Sequence, residues 1–458
     1  MSIQSALEAL QPVLGERLTL SKSDLEIHGR SEVAYPMTPP DAVVYPLNTQ
    51  DVSEIAKICY AHECPIVPWG TGTSLEGHSL AVRGGITVDF SRMNAVLQVN
   101  ADDMDVVVQP GLTRAELNEE LRATGLFFPV DPGANASLGG MAGTRASGTT
   151  TVRYGTMRHN VMALEVVLAD GRIIRTGSRA RKTSAGYDLT GLFVGSEGTL
   201  GLITELTLKL YGQPEAASAA ICAFEDMDAA VQAVIETIQM GLPMARIEFV
   251  DADVTAAFNA YAGREMAFKP HLLVELHGSD ASVTEDAKTF GQIAADHGAS
   301  GFEWATKSEE RNALWEMRHN GYYAILASRP GATAISTDIC VPISKLAQAV
   351  SETREDIQKS ILSGPILGHV GDGNFHAILL IEKDNVEELA AAKELSSRMM
   401  ERALRLGGTV TGEHGVGMGK LGYMEAEHGE GWDVMTDLKR AMDPTNIMNP
   451  GKLVKDLN

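Results

Sequence analysis

The run ILGHVGDGNFHAILL (366–380) sets two histidines on either side of a glycine-rich turn. Apolar residues flank Gly371-Asp372-Gly373-Asn374, and that order of φ-tolerant residues favours a hairpin. If those four residues form the loop, Val370 faces Phe375 and His369 faces His376. Directly opposed residues of an antiparallel pair share a face with Cβ atoms ~4.5–5.5 Å apart, so both imidazoles can reach one cation. The plainer alternative is a hydrogen-bonded pair of core histidines. A third group comes from TVTGEHGVGMGK (409–420), where a short β-type run breaks into glycines around Glu413 and His414. Two imidazoles and one carboxylate leave coordination positions open, which suits Lewis-acid chemistry at Zn²⁺, Mn²⁺ or Fe²⁺ rather than a closed structural site. If Glu413 points at the metal, chain direction turns His414 elsewhere, as an acid/base with an unperturbed pKa of ~6.5. The alternative for Glu413-His414 is a solvated loop pair.

Three other segments could hold a phosphate-bearing ligand. In PWGTGTSLEG (68–77), Gly70, Gly72 and Gly77 permit backbone closed to other residues, while Thr71, Thr73 and Ser74 offer hydroxyls. Successive N–H groups in such a loop form an anion-binding nest, although a tight turn has the same composition. Neither a Walker loop nor the G-x-G-x-x-G fingerprint is present. DPGANASLGGMAGTRASGTTTVRYG (131–155) has almost no large apolar residue, and a structureless stretch of that length inside a compact domain is uncommon unless functional or disordered. GSEGTLGLIT (195–204) adds Gly198, Thr199 and Gly201 at the entry to a strand. Three such loops in one domain ask for one extended ligand.

The elements that must position these groups follow from periodicity. Residues 1–33 read as a short helical lead-in. After Thr49, the residues Val52, Ile55, Ala56 and Cys59 make one apolar helical face. A second helix starts at Thr113 with a capping box to Glu116 and stops at Gly125. VRGGITVDF, AVLQVN, DVVVQPG, MALEVVLAD, RIIRTG and LGLITELTLKLY read as strands, and Gln213-Pro214 punctuates the chain. Beyond it, longer helices (around 226–240, 282–297, 344–362 and 385–406) alternate with single strands. That is an α+β layout, an antiparallel sheet with helices on one side. The expected organisation is a first domain over 34–213, a second over 214–440, and a segment 441–458 that packs back on the first.

Composition narrows the function classes. The 458 residues carry 38 Lys+Arg against 60 Asp+Glu, a net charge of −22 that argues against a nucleic-acid partner. The four cysteines contain no C-x-x-C, which excludes zinc ribbons and cysteine-ligated iron–sulfur clusters and suits a reducing compartment. The N-terminus lacks a basic region ahead of an apolar stretch, and no apolar run approaches the ~18 residues of a membrane span. The expected location is cytoplasmic, with peripheral attachment at the inner face of a membrane allowed.

The order P-W-G-x-G-T-S-L-E-G, then D-P-G-A…G-G-M-x-G…A-S-G…R-Y-G, then S-E-G-T-L-G, resembles the vanillyl-alcohol-oxidase/p-cresol-methylhydroxylase-type FAD-binding domain from about Met37 to Tyr211. The resemblance implies FAD. It lays the pyrophosphate on Pro68, Trp69, Gly70, Thr71, Gly72, Thr73, Ser74 and Gly77. It runs Pro132, Gly133, Ala136, Gly139, Gly140, Ala142, Gly143, Ser147, Gly148 and Tyr154 along pyrophosphate and flavin. Glu197, Gly198, Gly201 and Ile203 go near the adenine half, and Asn449 joins the cofactor contacts. His78 raises the question of a covalent flavin link; an ordinary loop histidine, with FAD bound non-covalently, is the reading adopted.

G-H-V-G-D-G-N-F-H, T-G-E-H-G-V-G-M-G-K and D-P…M-N-P-G-K resemble the D-2-hydroxyacid branch of the FAD-linked dehydrogenases, of the D-lactate dehydrogenase (cytochrome) type, and the likeness extends through WEMRHNGYYAI and STDICVPISKL. It implies His369, His376 and Glu413 as ligands of a divalent metal and His414 as base, in an antiparallel-sheet substrate (cap) domain. Hydride passes to flavin N5, since a redox-inert metal cannot accept electrons. Arg318 is the candidate for the substrate carboxylate because its planar fork matches two oxygens; the alternative is a surface charge on a helix. Hydroxyglutarate-oxidising relatives carry a lysine at the position of Ser336 and an asparagine at that of Ile378, so a small acid, D-lactate, is favoured here. Electrons leave to an external acceptor: cytochrome c, quinone or an electron-transfer flavoprotein. A homodimer is allowed. The rival readings are a glycolate-oxidising subunit of a multi-chain complex, a dehydrogenase for longer D-2-hydroxy acids, and a partner subunit without turnover.

Overall fold

The apolar face read after Thr49 forms the helix Thr49–His62, capped by the Asn48 side chain, and Val52, Ile55, Ala56 and Cys59 are fully buried on it. They join a core with Ala6, Leu10 and Leu14 of the helix Ile3–Leu14, so the lead-in belongs to this core. The sheet of this core has the order Leu18–Thr19, Ala42–Val44, Ile86–Asp89, Ile66–Trp69. Its last three strands run parallel. A second, antiparallel sheet orders Val96–Asn100, Asp105–Val108, Leu202–Lys209, Val161–Val167 and Ile173–Gly177. The Thr113–Glu116 capping box is present at the head of Arg114–Leu121, and Gly125, at φ 72°, ends the turn that follows.

These elements lie in a unit made of Met1–Ser147, Gly155–Gln213 and Glu413–Asn458, while Gly148–Tyr154 and Pro214–Gly412 form another. The structure, a computed structural model, describes residues 2–33 and 35–457. Ala34, where the first domain is expected to begin, therefore lies outside the described residues. The second changeover falls at Gly412–Glu413 rather than at 440, because Glu197 accepts hydrogen bonds from Val416 N and Gly417 N and Lys439 Nζ donates to Thr199 O. The chain thus joins the first core well before residue 441. The glycine-rich 131–155 segment is not structureless either. Ser137 caps the helix Leu138–Thr144, which buries Leu138, Met141 and Ala142. One cap and three apolar residues suffice where small side chains let the helix pack closely.

The second unit is built on an eight-stranded antiparallel sheet. Its order is Ser300–Ala305, Ala216–Ala223, His271–Gly278, Met244–Val250, Ile366–His369, Asn374–Glu382, Ala332–Ser336, with Ile339–Cys340 also pairing Asn374–Glu382. Both faces are covered, not one. Ile221, Leu273, Leu367, Ile378 and Leu380 pack with Phe258, Leu314, Trp315 and Ile325 of the helices Ala252–Ala262, Ser308–His319 and Gly321–Ala327. The alternate residues Leu272, Val274, Phe375, Ala377 and Leu379 are equally buried. Near-continuous apolar strands such as HLLVEL and FHAILLI demand this, since period-two alternation would otherwise leave half of them in water.

The core sets a stability expectation. Ile55→Ala, at a fully buried position, lowers unfolding stability by about 2–5 kcal/mol in chemical denaturation. Gln50→Ala, exposed on the same helix, stays within about 0.5 kcal/mol.

Candidate active site

The hairpin forms with a register different from the expected one. His369 pairs with Asn374, Gly368 with Phe375 and Leu367 with His376, so the loop is Val370–Gly373 and His376 lies diagonal to His369. A shift of two preserves the face, and the two rings stand 5.6 Å apart, nearly perpendicular at 82°. Gly373, at φ 80°, makes the turn possible; a Cβ there would collide with Val341 O.

Each imidazole is oriented by an acceptor. His376 Nδ1 donates to Thr337 O at 2.8 Å, and His369 Nδ1 donates to Glu248 Oε1 at 2.7 Å. Carbonyl and carboxylate oxygens can only accept, so in both rings Nδ1 carries a proton. Glu248 is fully buried, and its Oε2 accepts from Arg318 Nη2 at 2.6 Å. Arg318 is thus a buried ion-paired residue on Ser308–His319, not a surface charge, and its Nε is buried without a hydrogen-bond partner among the described residues. Nearby on the sheet, Glu275 accepts from His277 Nε2 at 2.7 Å and Trp315 Nε1 at 2.6 Å, and the Tyr154 hydroxyl meets His277 Nδ1 at 2.9 Å. Burial alone would raise the Glu275 carboxyl, but His277 and Arg246 beside it hold it below its ordinary value. Glu248 and Glu275 carry no motif; their only trace in the sequence is an acid interrupting an apolar strand.

Asp338 anchors the end of this unit. Its Oδ1 accepts from Asn374 Nδ2 at 2.7 Å, and its Oδ2 accepts from Gly412 N at 2.8 Å and Thr411 Oγ1 at 2.7 Å. A Cβ on Gly412 would run into the Asn374 amide. Glu413 and His414, the next two residues, open the last segment of the first unit. There Glu413 Oε2 accepts from Ser147 Oγ at 2.9 Å, and His414 Nδ1 lies 4.0 Å from Glu76 Oε1. Lys420 Nζ stands 3.5 Å from the same Glu76 oxygen.

The other residues expected at a cofactor lie in the first unit, except Gly148 and Tyr154, which fall in the second. The three loops interlock. A Cβ on Gly70 would meet Ser137 Oγ, one on Gly198 the Pro68 ring, and one on Gly77 the Met418 side chain. Asn449 Nδ2 donates to Glu197 O at 2.7 Å and His78 O at 3.1 Å. Glu197 Oε1 lies 3.3 Å from His78 Nε2. Burial would raise the Glu197 carboxyl, yet His78 and the Val416 and Gly417 N–H groups outweigh it and hold the carboxyl low. Lys452 Nζ donates to Leu80 O at 2.7 Å and Asn449 Oδ1 at 2.8 Å.

Residues 40–177 match the family model for an FAD binding domain, and residues 213–453 match the model for FAD linked oxidases, C-terminal domain. The chain is 47% identical to a probable mitochondrial D-lactate dehydrogenase of Danio rerio, over 99% of this chain and 92% of that protein. It is 42% identical to the mitochondrial D-lactate dehydrogenase [cytochrome] of Arabidopsis thaliana, over 98% and 80%. It is 38% identical to the glycolate oxidase subunit GlcD of Bacillus subtilis (strain 168), over 93% and 92%. Among solved structures, p-cresol methylhydroxylase superposes with a TM-score of 0.78 at 17% identity, covering 99% of this chain and 97% of that one. That likeness shows the vanillyl-alcohol-oxidase-type fold.

The buried Lys452 has a stability signature. Burial pushes its ammonium down to about 7 from an ordinary 10.5. Between those values the unfolded chain binds a proton that the folded chain does not, so Lys452 makes stability rise with pH by up to about 1.4 kcal/mol per unit. Melting curves of the wild type and Lys452→Met between pH 7 and 10 check this: the gap between them changes in favour of the wild type as pH rises.

Proposed function

The chain belongs to the FAD-linked oxidases, and from that premise we propose that it is an FAD- and divalent-metal-dependent D-lactate dehydrogenase that yields the 2-oxo acid. The observation that carries this reading is the pair His369 and His376, each donating from Nδ1 to an acceptor, with Nε2 as the ligand atom in this reading. Glu413 is the proposed third ligand. Gly412, immediately before it, is bonded to Asp338, which also holds Asn374, the residue paired with His369. Two nitrogens and one oxygen suit Zn²⁺ or Mn²⁺, with Fe²⁺ as a further candidate.

When bound, the flavin supplies a two-electron acceptor for the hydride, and the cation lowers the pKa of the substrate hydroxyl. Arg318 binds the substrate carboxylate through donors that Glu248 does not take, its buried Nε among them. His414 takes the hydroxyl proton, and the Glu76 carboxylate near its Nδ1 stabilises the imidazolium that results. Ser336 and Ile378 are paired across neighbouring strands, and Ile378 is buried in the apolar cluster. Neither offers a charge to a second carboxylate, which supports a methyl-sized side chain on the substrate. FAD is bound non-covalently in this reading, and electrons pass to an external acceptor such as cytochrome c, quinone or an electron-transfer flavoprotein. Among the described residues no helix is long and apolar enough to cross a membrane. The unpaired cysteines suit the cytoplasm. The likeness to GlcD favours, as the second reading, glycolate oxidation within a multi-chain complex.

Anaerobic mixing with D-lactate, L-lactate and glycolate, followed by flavin absorbance before and after EDTA, tests the assignment. Bleaching by D-lactate alone, abolished by EDTA and restored by Mn²⁺ or Zn²⁺, is the expected result. Preferential bleaching by glycolate would select the second reading, and bleaching indifferent to EDTA would remove the metal from it. His414→Ala lowers kcat by about 10²–10⁴-fold while the bound flavin is retained.

A further inference from the structure

Glu248 has no exposed surface, and its two oxygens serve two different partners on two different elements. The strand Met244–Val250 pairs antiparallel with Ile366–His369, Phe249 opposite Gly368. One more step in that register sets Glu248 opposite His369 on the same face. Oε1 accepts His369 Nδ1–H at 2.7 Å, and Oε2 accepts Arg318 Nη2–H at 2.6 Å from the helix Ser308–His319. Another buried acid on this face, Glu275, is engaged with His277, Trp315 and Arg246, none of them a candidate for metal or substrate. Glu248 joins one such group to another.

We propose that Glu248 is a shared positioning residue: one carboxylate sets both the direction of the metal-ligating His369 and the direction of the substrate-binding Arg318. The inference rests on those two roles as given under the proposed function. Accepting the Nδ1 proton makes Nε2 a stronger donor to a cation and holds the ring plane. Accepting from Nη2 stops the guanidinium from rotating, so its remaining donors point in one direction. A 2-hydroxy acid carries its hydroxyl and carboxylate on adjacent carbons, at a spacing it cannot alter. A single rigid group that fixes both receptors at one separation meets that substrate without reorganisation. Separate supports for His369 and Arg318 would let the two drift independently.

The test uses the flavin-loaded full chain as wild type, Glu248→Gln and Glu248→Asp. Flavin content and circular dichroism establish folding. Metal occupancy is read by elemental analysis across a series of EDTA-buffered Mn²⁺ concentrations, and KM and kcat are read with D-lactate. Glutamine keeps the volume but cannot accept from both partners with a charge. Expected are a Mn²⁺ affinity weaker by about 10–100-fold and, at saturating Mn²⁺, a KM higher by about tenfold. Glu248→Asp, which keeps the charge but withdraws it, moves both readouts in the same direction and gives the answer if the Gln variant does not fold. Wild-type values of either readout in a folded variant overturn the proposal, because a shared group must move both. A purely structural carboxylate would lower the melting temperature and leave both readouts per folded molecule unchanged. The underlying roles have their own controls. A wild type that binds no Mn²⁺ and ignores EDTA overturns the metal reading and the proposal with it. An unchanged KM in Arg318→Met does the same for the substrate arginine.

Discussion

A β-strand shows its side chains to alternate faces, and the second unit depends on that constraint. Glu248, Glu275, His277, His369 and His376 all fall on the parity that carries Leu273, Leu367 and Ile378, while the opposite parity is apolar throughout the central strands. The polar groups are therefore islands within an otherwise packed layer. Each finds partners inside that layer, because a buried charge without a partner is expensive. The result is a chain of acids, imidazoles and guanidinium groups with fixed directions, held by neighbours that are themselves close-packed.

Much of this was legible in the residues. The helix Thr49–His62, the capping box at Thr113 and the helices Met227–Gln239, Asp280–Asp296, Leu346–Gln358 and Val386–Arg405 follow from periodicity and caps, which are local properties. The hairpin was legible as a hairpin, but its register was not. The turn takes Val370–Gly373 because Asn374 is needed as a strand residue, where its amide binds Asp338 and Ile339 O. That demand comes from a residue more than thirty positions away in the chain. Glu248 was invisible for the same reason. An acid in MARIEFV reads as a flaw in a buried strand until the arginine and histidine that need it are brought beside it. The helices Ala252–Ala262, Ser308–His319 and Gly321–Ala327, which pack on one sheet face, were missed too, since alternation cannot say what covers a face.

The first unit is organised by close approach of glycine backbone to the side chains of neighbouring loops. Glycines 70, 77 and 198 stand where a Cβ would strike a neighbouring loop, and the buried cations Lys439 and Lys452 are held largely by carbonyl oxygens. Such a scaffold presents N–H groups and small side chains over a wide area, which is what a long, flat, phosphate-bearing cofactor requires. Side-chain bulk would gain packing at the expense of that surface.

The return of the chain to its own beginning bears on synthesis. Ile66 N donates to Ile447 O, Asn449 N donates to Ile66 O, and Met448 bridges Ile66 in parallel. The strand at Ile66 thus waits for a neighbour translated nearly four hundred residues later. Almost all of the second unit, by contrast, is one continuous stretch between Pro214 and Gly412. On the ribosome Pro214–Gly412 emerges complete before the residues that pair with Ile66 are made. Loop-closure entropy across nearly four hundred residues makes the final join a slow, late event. During that interval Ile66 is without the backbone partners that residues 447–449 supply, and an unpaired strand edge of that kind is what a chaperone shields.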